Sequence, residues 1–322
     1  MKSLGILMLV AIAYIANAQQ LKFKPVWQLN KTINLEYTYR DLEEKKGGER
    51  KFDTIHADIQ MKLLRENEDF YFFSWQFVNY YQDITDNSTA YKKITGPVIA
   101  KFITMVPINF KVDKADWEIK IMNKDEIDSL KDIAVKEAAA NLPKKDNAES
   151  FLSPEAVLAL GIDLQMEKKV FGVIDEYFTV YKSEKHKLEL NKKKSLNDEL
   201  SESDKKNVSK LVGSVEGYML LDDKAPSFYN FQTEMKMDMS NMMNMFAALA
   251  KDLDKDKKKK SKKNSETAPV VNTPINTVTA VNIHVSKQDM LVQLYTQTIT
   301  MDGQDTWIGS NANSIKTLQV KQ

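Results

Sequence analysis

The residues with chemistry to offer are few and scattered. His56, His186 and His284 stand one per region of the chain. His56 and Asp58 point to the same side if their stretch is a strand. With His284 they would supply the imidazole and carboxylate donors that zinc accepts. The same two residues fall on the polar face of that stretch, where they need no ligand to explain them. Thioethers are the second chemistry. Met235, Met237, Met239, Met242, Met243 and Met245 crowd one short run, and soft sulfur of this kind selects Cu(I) or Ag(I). Read as packing, Met235, Met237 and Met239 face a core from a strand in phase with Tyr229 and Phe231, and the others follow on a helix. They then serve as adaptable gap fillers or surround an apolar ligand. The third is the lysine run Lys255 to Lys263, which could meet anionic lipid or polysaccharide. Asp252, Asp254 and Asp256 just before it favour a solvated linker.

Motifs of known mechanism are missing. The chain has no Gly-rich phosphate loop, no Gly-x-Ser-x-Gly elbow and no His-Glu-x-x-His helix. No carboxylate pair stands in an apolar setting as a matched acid and base. The sequence therefore assigns no catalytic, cofactor-binding or metal-ligating residue and points to a non-catalytic protein. With 46 basic and 45 acidic residues in 322, no global field exists to attract nucleic acid or acidic lipid.

Residues 1–18 have the three parts of a secretory signal peptide: Lys2, an apolar run from Leu4 to Ile15, and Ala16-Asn17-Ala18 as the cleavage site. The apolar run is short of the roughly 20 residues a spanning helix needs. A mature chain beginning at Gln19, with no transmembrane segment after cleavage, is the expectation. No cysteine is present, so neither a lipid-attachment cysteine nor a disulfide framework is available. Together these read as a bacterial protein exported to the periplasm or the medium.

Most of the chain alternates with the period of strands. Leu21, Phe23, Trp27, Leu29, Ile33, Leu35, Tyr37 and Tyr39 share one parity, too long a run for one flat strand, so a bend is expected at Asn30-Lys31. Gly47-Gly48 is a turn, and Ile55, Ala57, Ile59, Met61 and Leu63 return antiparallel to the first strand. Phe70 to Tyr81 carries aromatics at both parities, which predicts a strand covered on both faces or lining a cavity. Gly96-Pro97 reads as a break before 98–105. From 143 to 213 the chain is mostly helical, starting at Ser153-Pro154 and carrying the stripe Val170, Val173, Ile174, Tyr177, Phe178 and Tyr181, with Gly161 or Gly172 as a dividing point. Glu184 to Ser209 reads as a solvated helix or loop. Strand character returns at Phe228, Ser240 caps a Met-rich helix, and residues 254–273 form the linker. Strands resume at 275–285 and 290–301, with two shorter ones around Trp307 and Leu318.

Val106 to Asn141 is the densest run. Ile108, Phe110 and Val112 alternate with polar residues, Lys114-Ala115-Asp116 turns, and Trp117, Ile119 and Ile121 resume the alternation, which predicts a hairpin. Asn123 and Glu126 have the spacing of a capping box for a helix carrying Ile127, Leu130, Ala134 and Ala138, stopped at Leu142-Pro143. The stretch INFKVDKADWEIKIMNKDEI resembles a pattern in uncharacterised exported proteins of Bacteroidota. That resemblance implies an envelope address and no particular activity.

The expected fold is α+β: one composite domain, 19–322, built on a large curved antiparallel sheet with helices from the middle of the chain packed on one face. Its parts are a β-rich half with one helix (19–142), a helical segment (143–213), a strand and Met-rich helix (214–253), the linker (254–273) and C-terminal strands (274–322). A curved sheet closed by helices is similar to bacterial lipoprotein carriers and other lipid binders. The function expected is binding of a hydrophobic small molecule or lipid, or of an envelope protein partner, with Met-based Cu(I) or Ag(I) binding and a structural assembly role as alternatives.

Overall fold

The structure, a computed structural model, describes residues 21–45, 50–84, 90–140, 154–198, 214–241, 244–245, 276–302 and 310–321. Among the described residues eleven strands form one open antiparallel sheet. They are β1 (Thr32–Lys45), β2 (Arg50–Glu66), β3 (Phe70–Ile84), β4 (Ile108–Asp113), β5 (Ile119–Ile121), β6 (Lys193–Ser195), β7 (Val215–Asp222), β8 (Phe228–Asp238), β9 (Asn276–Ser286), β10 (Val292–Asp302) and β11 (Ser310–Val320). Their spatial order is β5-β4-β3-β2-β1-β11-β10-β9-β8-β7-β6. Two meanders therefore meet where β1 pairs with β11. The helices α1 (Ala90–Ile103), α2 (Lys124–Ala140), α3 (Pro154–Met166) and α4 (Gly172–Lys182) come from the middle of the chain. The segment from α2 to α4 connects the two opposite edges, β5 and β6.

Alternation decided the inner face. Leu35 and Tyr37 on β1, Ile55, Ala57, Ile59, Met61 and Leu63 on β2, Ile283 and Val285 on β9 and Tyr295 on β10 are all buried, and their neighbours in sequence are more exposed. The stripe predicted for α4 is buried throughout. A π turn at Glu167–Phe171 joins α3 to α4 at Gly172, the dividing point anticipated there.

Several expectations are corrected. Residues 21–28 keep the predicted alternation, Phe23 and Pro25 in and Lys22 and Lys24 out, yet form no strand. The strip lies along the end of the sheet, held by the Val26 N–H donating to Asp289 O at 2.8 Å, and Pro25 has no N–H for a ladder. The bend expected at Asn30-Lys31 is a turn ahead of β1, with Asn30 at φ 60°. The Gly96-Pro97 break is instead the interior of α1, where burial of Ile99, Phe102 and Ile103 outweighs local propensity. Trp117 belongs to the β4–β5 turn at φ 63° rather than to β5. Asn123 does not cap α2 as expected. Its Oδ1 accepts from Asn109 N at 2.9 Å, and its amide donates to Pro107 O and to Glu126, so it staples the helix start to β4. Strand β7 was not foreseen, and β6 lies inside the stretch read as solvated loop. The C-terminal segment around Leu318 is one eleven-residue strand. Leu142-Pro143, Ser153, most of the Met-rich helix, the lysine linker and Trp307 lie outside the described residues.

The aromatics at both parities of β3 have a simple cause. Asp58 faces Asn79 and Ile59 faces Phe77, so Val78 is an extra residue on β3, a bulge that reverses which parity faces inward. Phe73, Trp75 and Phe77 precede it on the inner face, and Tyr80 follows on that same face. On the other face Phe70 and Phe72 lie under Lys111 and Arg65, 3.8 and 3.9 Å from the ring centroids, and Tyr81 is 61% exposed.

Candidate functional site

Trp27 is the hub of the inner face. Its ring lies 4.9 Å from Tyr71, 5.0 Å from Phe73, 5.7 Å from Tyr181, 5.9 Å from Phe178 and 6.2 Å from Trp117, mostly edge to face, the arrangement aromatic quadrupoles favour. Helix α4 meets the same wall: Phe178 contacts Phe73 and Phe110, and Tyr177 contacts Trp75. Trp75 and Phe77 are thus packed, fully buried, and line none of the clefts described below.

Tyr181 stacks on Trp117 in the β4–β5 turn at 4.8 Å and donates its hydroxyl to Met290 O in the β9–β10 turn at 3.0 Å. On a flat sheet strands β4 and β10, five spacings apart, would stand roughly 24 Å from each other. One side chain touches both turns, so the two wings approach each other across the inner face.

Beside this aromatic wall opens a cleft of about 340 Å³ lined by Val26, Trp27, Gln28, Lys31, Ile33, Leu63, Gln288, Asp289 and Leu291. Its volume is at the low end for small-molecule sites. Trp27, Ile33, Leu63 and Leu291 give it an apolar lining, and Lys31 and Asp289 supply charge of both signs. Val26 and the adjacent Leu29 are 62% and 58% exposed. A second concavity of about 290 Å³ lies on the outer face over β1 and β11, lined by Glu36, Thr38, Arg40, Ile315, Thr317 and Gln319. A third, about 270 Å³, lies between α2 and α3 with Lys131 bonded to Asp128 and Asp163.

The residues singled out for chemistry are not brought together. His56 and Asp58 share the outer face, where Asp58 pairs with Lys321 and accepts from Asn79 at 2.9 Å. The Lys321 hydrogen bond, then that of Asn79, holds the Asp58 carboxyl below the usual carboxylate range. His284 is on β9, four strand spacings or roughly 19 Å from β2, and stacks on Phe228 at 4.3 Å. Burial pushes its imidazole below the ordinary value. Among the described residues no group of three or more His, Asp and Glu is placed to hold a metal ion. Met235 and Met237 are half-buried rather than core, and Met245 is exposed. Met242 and Met243 lie outside the described residues. Residues that the sequence reading did not single out are Lys31, Leu291 and Asp289 at the cleft and the buried pair Glu176 and Lys316. Only the apolar parity of Trp27, Ile33 and Leu63 pointed toward this end of the sheet.

No protein-family model matches the chain, and no curated protein matches it. Among solved structures it is similar to one titled "Lipid-protein interactions in lipovitellin", with a TM-score of 0.36 and 8% identity over 92% of this chain and 26% of that one. The chain spans about a quarter of that structure's length. A likeness at that level decides neither fold nor function.

Proposed function

We propose that the protein is a non-catalytic, exported protein of the bacterial cell envelope that binds a hydrophobic small molecule or lipid. The ligand site is the cleft between residues 26–31 and the β9–β10 turn, with the curved sheet closed over its inner face by α1 to α4. One observation carries the reading: the apolar lining of Trp27, Ile33, Leu63 and Leu291 opens beside exposed Val26 and Leu29. Concave apolar surface with a few flanking polar groups is what ligand sites offer. Export rests on residues 1–18 and on the lack of cysteine.

The test is native mass spectrometry of protein purified from its own envelope, together with titration of a fluorescent fatty acid. A bound lipid or small molecule is expected, and Leu291→Asp should weaken the fatty acid by at least about tenfold, or ~1.4 kcal/mol. Protein that carries nothing, and that binds the probe equally in both forms, would sink the reading. Amino-terminal sequencing of the mature protein should begin at Gln19.

A further inference from the structure

The apolar cleft carries two opposite charges that do not meet. Lys31 stands at its β1 wall, where the Asn30 N–H donates to Leu63 O at 2.8 Å, and Asp289 stands at the β9–β10 turn, where its carbonyl accepts from the Val26 N–H at 2.8 Å. Backbone bonds therefore fix both positions before a ligand arrives, which spares part of the ordering cost of binding. Lys31 is exposed and Asp289 half-buried. Asp289 Oδ1 accepts from the Leu291 N–H at 3.2 Å, and among the described residues neither charge takes part in an ion pair. Lysines elsewhere in the fold do pair with a nearby carboxylate, as Lys114 with Glu66 and Lys316 with Glu176. Burial above all, and the Asp289 charge in smaller part, raise the phenols of Tyr177 and Tyr181, so this carboxylate lies toward the aromatic wall. Gln28 and Gln288 line the same cleft and add neutral donors and acceptors.

From these two charges we propose that the cleft selects a zwitterionic, single-chain amphiphile, with an ammonium beside Asp289 and an anionic group beside Lys31. The inference rests on the ligand reading of this cleft and names the head group that the cleft takes. An anionic head alone would meet the Asp289 carboxylate, and a cationic head alone would meet Lys31. A neutral head strips water from both charges and returns no counter-ion, which costs free energy. A head that carries both signs answers both walls. The acyl chain then lies along Trp27, Ile33, Leu63 and Leu291, with exposed Val26 and Leu29 beside it. At about 340 Å³ the cleft is small for a ligand site, which favours one chain over two.

The experiment displaces a fluorescent fatty acid from the full chain with three lipids of one chain length: lysophosphatidylethanolamine, lysophosphatidylglycerol and monoacylglycerol. Their heads are zwitterionic, anionic and neutral. Lysophosphatidylethanolamine should displace the probe about fivefold better than either of the others, the upper end of what a partly exposed charge pair contributes. Asp289→Asn keeps an acceptor for the Leu291 N–H and should erase the preference over lysophosphatidylglycerol. Lys31→Gln should weaken both phospholipids about fivefold and leave monoacylglycerol unchanged. Thermal melting should show both variants folded like the parent. Equal displacement by all three lipids, or a preference that survives in Asp289→Asn, would overturn the inference while the cleft stands as a lipid site. Failure of the fatty acid and of every lipid to bind would overturn the cleft reading as well.

Discussion

The Tyr181 hydroxyl donates to the carbonyl of Met290 at 3.0 Å, joining the last turn of α4 to a residue held at φ 57° between β9 and β10. The two are far apart in sequence, and the bond closes one wing of the sheet onto the helix. Tyr181 is fully buried, so Tyr181→Phe leaves a carbonyl without its donor while keeping the ring stack on Trp117. The expected cost is about 1–3 kcal/mol, read as a lower urea midpoint with an unchanged slope. Parent-like stability would show that the bond contributes nothing.

The bulge at Val78 gives a sharper contrast. Its side chain is 47% exposed, so Val78→Thr should stay within about 0.5 kcal/mol of the parent. Deleting the residue returns Tyr80 and Gln82 to the outer face, because a one-residue slip reverses every following side chain. Loss of Tyr80 burial alone removes roughly 1.5–3 kcal/mol, and the measured loss should be at least that large. A deletion variant as stable as the parent would mean that the parity change is not needed.

Gly217 on β7 has no room for a methyl group. A Cβ there would overlap Glu234 O and lie 2.7 Å from Leu196 Cδ1. The leucine can move, but the carbonyl belongs to the paired strand β8. Gly217→Ala should destabilise by about 1–3 kcal/mol, and hydrogen exchange should quicken first along β6 to β8.

His284 offers a pH test. Burial lowers its pKa, so the unfolded chain takes up the proton more readily, and this imidazole stabilises the fold above the unfolded value of about 6.5. That contribution is lost as pH falls through the depressed folded value. His284→Gln should therefore flatten the pH dependence of the melting temperature below about pH 6.5, and NMR should show His284 titrating below that value. An elevated titration point would contradict the half-buried stack on Phe228.

Much of this chain was legible from local pattern alone. Alternation placed Leu35, Tyr37, Ile55, Ala57, Ile59, Met61 and Leu63 inside, and helical spacing placed Val173, Ile174, Tyr177, Phe178 and Tyr181 of α4, because burial on one face imposes a period on the residues that bear it. The same signal misled at Leu21 to Leu29, where the alternation is kept but the chain joins no strand ladder. It failed again where packing outweighs a breaker, as at Gly96-Pro97 in α1. The cleft was less legible still, since Trp27, Leu63 and Leu291 meet only after three distant segments fold.

The sequence by itself determined most of the side chains that turn inward on β1, β2 and α4, that the strands pair antiparallel, and that no familiar catalytic motif is present, since periodicity and residue type are local properties. Only the tertiary structure decided that β1 pairs with β11, that one bulged residue reverses β3, that Tyr181 joins two turns, and that Glu176 meets Lys316. Those depend on register and on contacts between residues far apart in the chain. Any register that buries one face satisfies the same alternating pattern, and the whole sheet must form before one of them is chosen.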